Sequence, residues 1–487
     1  MMYRIMRSFF TFVFVFLYGL ASNAPAAGLP DLGDVVGIDD LSPVQERQLG
    51  EEIMREVRRD PAWLDDPVVE EYINRLGQRL VAASTEPGRA FEFFVVKDAM
   101  LNAFALPGGY IGVHTGLIIA AQSESELAGV LGHEIGHVTQ RHIAQIVGKQ
   151  KQMTMLALAS MLAAVAVKDS RVAEAAVLSG VAGTAQAQLA YTRDFEREAD
   201  RIGLQTLEAA GFDVRGMAGF FERLQRSIRL YENENNAPAY LRTHPLTTER
   251  IADMENRVLS MRYRQVVDSP DFNYVRARLR AQSQPAAEAV RTFMGLVAGS
   301  PDDVALRYGL ALAQLRAVRP EDAARTLDEL LRRAKPSPFV AILSGEVALA
   351  RRDAGTAIST LIAACKAFPE SMSAAYALAD AQIVGGRAQD AERGVRRALA
   401  RRGNDIRLWG LLARANAALG KHTAQHRAQA EVYVLQGAYQ SAVEQLELAR
   451  RAGDGDFYEL SAADARLREI RDRMGDGKRL GQRKNER

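Results

Sequence analysis

Cysteine is all but missing from these 487 residues, with Cys365 as the single one. No internal disulfide can form, and no cysteine near the N-terminus could carry a lipid. Lying among the helical repeats described below, Cys365 reads as a small buried hydrophobe. A surplus of either charge is missing as well, since 62 basic residues face 60 acidic ones. Two of the basic ones, Arg4 and Arg7, belong to an export leader, and the remainder is formally neutral. That balance lends no support to nucleic-acid binding. A basic tail, Lys478, Arg479, Arg483, Lys484 and Arg487, reads as a frayed, solvated terminus.

Apolar runs long enough to cross a bilayer are also lacking. Phe9–Leu20 follows Arg4 and Arg7 and precedes the small residues of Ala24–Ala27, the pattern of a cleaved signal peptide over residues 1–27. The run falls short of the roughly 20 apolar residues a membrane span needs. Met153–Val167 is apolar and Val172–Ala190 is rich in alanine and glycine, but fifteen helical residues reach only about 22 Å. A helical hairpin is expected there through residues 153–190, either buried in the core, covering the cleft, or touching a membrane or a β-barrel client.

What is present centres on Leu131–His142, LGHEIGHVTQRH. Residues four apart share a helix face, so His133 and His137 can reach one metal while Glu134 stands beside them. Metal-assisted hydrolysis needs neutral imidazole ligands, an open coordination position, and a carboxylate that takes a proton without using up a metal site. Downstream, DFEREADRIG places Glu196 and Asp200 four apart. Glu196 suits a third ligand and Asp200 the acceptor for the free N–H of a ligating histidine, while Glu198 points elsewhere. His142 is the alternative third ligand. A histidine-only site, however, needs glycine at 139 and histidine at 143, where the chain has Thr139 and Ile143.

At these residues the chain resembles the zinc metallopeptidases related to HtpX and the CAAX prenyl endopeptidases, marked by HExxH followed by ExxxD. The likeness extends to Asn102–Gly109 (NAFALPGG), Thr115–Gly116 and His244–Pro245, and so covers about Leu41 to Val258. It implies a gluzincin-type fold in which His133, His137 and Glu196 bind one Zn²⁺ per chain. Glu134 would then be the catalytic base and Asp200 its supporting neighbour. With a secretory signal and helical repeats added, the chain resembles the periplasmic, repeat-bearing proteases of that family. This implies degradation of misfolded or stalled outer-membrane β-barrel proteins, chaperone-like help to productive ones, contact with their assembly machinery, and a peripheral place at the outer membrane.

Residues 28–40 read as a linker, and Ser42–Pro43 as the cap and first residue of a helix. Phe91–Val96 reads as a strand, and Ala103–Leu106 and Tyr110–Val113 as extended segments joined by a turn at Pro107–Gly109. An exposed edge at Asn102, Ala103 and Phe104 could pair with a substrate backbone, or the hairpin could be purely structural. Ser123 and Glu126 have the spacing of a capping box for the HExxH helix. Gly132 and Gly136, four apart on that helix, mark the close approach of another element. His244, followed by Pro245, has three readings: a loop histidine, a donor to the transition-state oxyanion, or a fourth zinc ligand that excludes water.

From about Phe272 a 34-residue period sets in. Ala277, Ala311, Gly345, Ala379 and Ala413 repeat in phase with Ala289, Ala323, Ala357 and Ala391, and Phe293, Leu327, Leu361 and Val395 follow at a large position. The register slips near Gln425 and resumes around Ala430 and Ala442. This is the pattern of tetratricopeptide helix pairs, whose stacked surface suits protein recognition. The expected fold is mainly α: an α+β metallopeptidase domain with a small sheet at 41–265, an α-solenoid at 270–455, and a C-terminal helix with its basic tail at 456–487. A non-proteolytic adaptor with a silent or structural metal site is the competing reading, but a structural site has no use for Glu134.

Overall fold

The computed structural model describes residues 41–146, 148, 193–228, 240 and 244–485. The expected signal peptide, the linker 28–40 and the apolar stretch 153–190 lie outside them. Among the described residues no helix is long and apolar enough to cross a membrane.

The described chain opens with helices Pro43–Val57 and Pro67–Ala82. Ser42 caps the first reciprocally, its Oγ accepting from Gln45 N at 3.3 Å while Gln45 Oε1 accepts from Ser42 N at 2.9 Å. Three strands follow, β1 Glu92–Val96, β2 Ala103–Leu106 and β3 Tyr110–His114, in the order β1-β3-β2. β1 runs parallel to β3, and β2 antiparallel to it. The β2–β3 turn holds Gly108 and Gly109 at φ 80° and 89°, and a Cβ on Gly109 would sit 2.3 Å from Ala90 O. Only glycine satisfies both demands. Asn102 O accepts from His114 N at 2.9 Å. The alternation of an antiparallel pair therefore turns the main-chain groups of Ala103 and Ala105 away from β3, although Ala103 is fully buried there.

The HExxH helix, Glu124–Thr139, is buried along its whole length. Ser123 Oγ accepts from Glu126 N at 3.2 Å, but the Glu126 carboxylate turns to Gln122 N and to Arg223, all at 2.6 Å. The reciprocal arm of the expected capping box is not made, because a forked guanidinium is the stronger partner for a carboxylate. The element approaching Gly132 and Gly136 is the ExxxD helix, residues 193–209. A Cβ on Gly136 would lie 3.0 Å from Ala199 O, one on Gly132 3.1 Å from Gly203 O, and one on Gly203 3.0 Å from His133 N. Three glycines make a seam in which the two backbones nearly touch.

The repeats pair Pro270–Gln282 with Ala286–Gly299, Val304–Arg316 with Pro320–Leu331, and Pro338–Ala350 with Ala354–Ala367. Met372–Val384 with Ala388–Leu399 and Ile406–Ala418 with His422–Leu435 continue the stack, and Tyr439–Arg451 and Phe457–Asn485 follow. The periodic small residues are all buried, and at Gly345 a Cβ would meet Leu361 Cδ1 at 2.7 Å. Where the register slips at Gln425 the helix persists, and buried Ala424 and Ala428 take over the packing.

The described residues divide into a large unit that ends at Asp464 and a small one that holds the residues from Ala465 on. Within the large unit, helix Pro67–Ala82 is bound to the repeats through its N-terminal turns. Asp66 accepts from Arg278 and Gln282, both at 2.7 Å. Glu70 accepts from Arg407 at 2.6 Å, and Glu71 from Ser373 N at 2.8 Å.

Candidate metal centre

His133 and His137 project from one face of the HExxH helix, their Nε2 atoms 3.0 Å apart. The glycine seam brings Glu196 onto the same spot, with Oε2 3.4 Å from His133 Nε2 and Oε1 3.3 Å from His137 Nε2. His244 completes the cluster, its Nδ1 3.0 Å from Glu196 Oε1 and 3.3 Å from His133 Nε2. One donor atom from each of these four residues lies within 4.8 Å of the others. Three imidazole nitrogens and a carboxylate oxygen, all buried or nearly so, form a donor set that fits a divalent cation such as Zn²⁺.

Glu134 faces the cluster from beside it. The residue is fully buried, and among the described residues neither carboxylate oxygen completes a hydrogen bond. His244 Nε2 is 3.5 Å from Oε1. Burial pushes the Glu134 pKa up, although His244, His133 and the Ala105 N–H draw it back. The helix that carries Glu134 packs against β2.

Around the cluster, Asp200 Oδ1 lies 2.9 Å from His133 Nδ1. Arg250 forks onto Asp200 and also lies 2.9 Å from Glu196 Oε2, while its Nη1 donates to Pro245 O at 2.8 Å. Burial opposes the charge on His133, but Asp200 and Glu196 outweigh it and lift the imidazole to about 10. Burial dominates at His137 and holds it near 4. Glu196 is kept well below the usual carboxylate range, against burial, by His244 and His137.

The structure thus brings His133, Glu134, His137, Glu196, Asp200 and His244 together. Ala103 and the half-buried Phe104 lie on β2, and Asn102 is fully buried with its side chain 3.5 Å from His114 Nε2. His142 meets His137 through Nδ1, 2.9 Å away, and Glu198 points away from the donor cluster and contacts His142. Sequence reasoning missed Arg250 altogether. Its spacing of six from His244 is the one trace it leaves.

Residues 67–258 match the model of peptidase family M48, and residues 348–415 a tetratricopeptide repeat model. The chain is 33% identical over 451 residues to the β-barrel assembly-enhancing protease of Escherichia coli, covering 91% of each chain. It is 34% identical over 438 residues to a putative β-barrel assembly-enhancing protease of Vibrio cholerae, covering 88% of this chain and 89% of that one. Mitochondrial metalloendopeptidase OMA1 of Arabidopsis thaliana is 31% identical over 206 residues, 41% of this chain and 39% of its own. The donor cluster therefore lies in a chain that belongs to peptidase family M48, a metallopeptidase with tetratricopeptide repeats following its peptidase segment.

Proposed function

We propose that this chain is a periplasmic endopeptidase that holds one zinc and acts on misfolded or stalled outer-membrane β-barrel proteins in contact with their assembly machinery. The observation that carries the chemistry is the convergence of four donors with a buried, unpaired carboxylate beside them. His133, His137 and Glu196 are the zinc ligands. Bound zinc supplies Lewis acidity, which polarises a scissile carbonyl and lowers the pKa of an attacking water. Glu134 takes the water proton and returns it to the leaving amine, a role suited to a carboxylate whose burial raises its pKa. Asp200 and Arg250 keep His133 in register. At the edge of β2, the main-chain groups of Ala105, next to the half-buried Phe104, pair with an extended peptide without selecting its sequence, whereas the fully buried Asn102 and Ala103 stay inside the fold.

His244 acts as a reversible cap. Its Nδ1 lies among the other donors while its Nε2 faces Glu134, which favours the capping reading over the oxyanion one. Four protein ligands make a closed site of the structural type. The His244–Pro245 segment must therefore withdraw before a water and a peptide can enter. Such restraint suits a protease exported among unfolded chains. The β-barrel clients and their machinery rest on the names of the full-length relatives, and the export route on the N-terminal pattern. Incubating the purified protein with casein and with a misfolded β-barrel, with and without chelator, tests the reading. Chelator-sensitive cleavage is expected. Assembly assistance with no cleavage by wild type or by a cap-free variant would instead establish the adaptor reading.

A further inference from the structure

A histidine that ligates metal through Nε2 carries its proton on Nδ1, and that proton needs a fixed acceptor. For His133 the carboxylate placed there is Asp200, with Oδ1 2.9 Å from Nδ1. Among the described residues no carboxylate serves His137 in this way. Its Nδ1 faces His142 Nδ1 at 2.9 Å, and His142 Nε2 faces Glu198 Oε2 at 3.3 Å. The protons in this chain can be assigned without conflict. With His137 Nε2 turned to the donor cluster, Nδ1 donates and His142 Nδ1 accepts. The His142 proton is then on Nε2, directed at a carboxylate that can only accept.

The arrangement is built rather than incidental. His142 is 1% exposed, and its ring stacks on Phe195 with centroids 4.1 Å apart and planes 20° apart. Were the HExxH helix to continue, residue 142 would stand about 140° around the axis from His137. The helix instead ends at Thr139, and Arg141 takes a left-handed conformation at φ 56°, which L-residues other than glycine and asparagine seldom adopt. The turn carries His142 back onto His137. Arg141 is held in it by Glu46 Oε1, 3.0 Å from its Nε. Glu198 comes from the ExxxD helix, so one helix supplies a ligand, the orienting carboxylate for His133, and the end of this second chain.

We propose that His142 and Glu198 are positioning residues for His137, which fix its tautomer and ring plane so that Nε2 meets the metal. This rests on the zinc site proposed above. The test is zinc affinity of the full chain, by competition with a chromophoric chelator, with thermal melting as a control on folding. His142→Phe keeps the stack on Phe195 but removes the acceptor, and affinity should fall about 10- to 100-fold. His142→Asn places an amide oxygen near the lost Nδ1 and should recover most of that loss. Glu198→Ala, at a half-exposed side chain, should leave folding intact and weaken affinity less than His142→Phe. Wild-type affinity in His142→Phe, or equal losses in the Phe and Asn variants, would overturn the role of His142. Unchanged affinity in Glu198→Ala would remove Glu198 from it. A wild-type chain that binds no zinc overturns the parent reading too, a result distinct from these.

Discussion

Arg250 forks onto Asp200, Nε to Oδ2 and Nη2 to Oδ1, both at 2.8 Å. The same guanidinium lies 2.9 Å from Glu196 and donates to Pro245 O, so one side chain ties the ligand helix to the segment carrying His244. Lysine keeps the charge but loses the planar fork. Arg250→Lys is therefore expected to weaken zinc binding roughly 10- to 100-fold, as read by chelator competition. Affinity equal to wild type would show that the fork does not support His133.

Glu134→Gln preserves shape and removes the base. Zinc content should stay at one per chain while cleavage of casein falls by at least about 100-fold. Metal analysis beside a cleavage assay separates the two readouts, and normal cleavage would eliminate the proposed mechanism.

On the proposed capping role, His244→Ala opens the fourth position. Casein cleavage and self-cleavage should both rise above wild type, because the competing donor is gone. A fall in both would instead point to a His244 contact with the transition state, and no change in either would leave the residue a role in the loop alone.

Gly136→Ala puts a methyl 3.0 Å from the Ala199 carbonyl oxygen, which belongs to a backbone that cannot step aside cheaply. A loss of about 1–3 kcal/mol is expected, as for overpacking elsewhere. Gly295→Ala is the control: no described atom lies within 4 Å of its Cβ, and removing a helical glycine should stabilise by about 1 kcal/mol. Denaturant unfolding of both variants checks the contrast in sign.

Acid should loosen the junction of peptidase and repeats. Burial favours protonation of Asp66, but Arg278, Gln282 and the Val69 N–H outweigh it and hold the carboxyl below its usual value. A depressed folded pKa contributes stability that is complete above the unfolded value of about 3.9 and is lost as pH falls through the folded value. Asp66→Asn keeps a helix cap but leaves Arg278 with Glu346, 3.8 Å away, as its remaining carboxylate, and should cost up to roughly 3–5 kcal/mol near neutrality. The gap in melting temperature between wild type and variant should close below about pH 4; a gap independent of pH would refute the ionic account.

Much of the site could be read from spacing because helical phase is local. His133 and His137, and Glu196 and Asp200, share faces whatever surrounds them. Gly132 and Gly136 announced a close neighbour, though not that Gly203 would meet them from the other side. The repeats were equally open to reading, since alanine and glycine recur every 34 residues at the buried helix contacts. Long-range partners were not. Apart from its spacing of six from His244, nothing in the sequence distinguishes Arg250 from the many arginines that stay on the surface. The position of His142 depends on a left-handed Arg141, which no residue preference foretells. Glu126 has the spacing of a capping box and is taken instead by Arg223, 97 residues away.

Glu124, at the start of the HExxH helix, accepts from Tyr72 OH at 2.9 Å and from Ser269 N and Oγ at 3.0 and 2.7 Å. Tyr72 belongs to the helix bound to the repeats, and Ser269 caps the first repeat helix. These three segments therefore have no free energy of opening that is theirs alone. Heating should melt the large unit in one cooperative calorimetric transition, and amides of the HExxH helix and of Pro270–Gln282 should exchange with solvent at a common rate. A fragment ending near Val258 would leave Asp66, Glu70, Glu71 and Glu124 without their partners from the repeats, and so would not reproduce the peptidase as it stands in the whole chain.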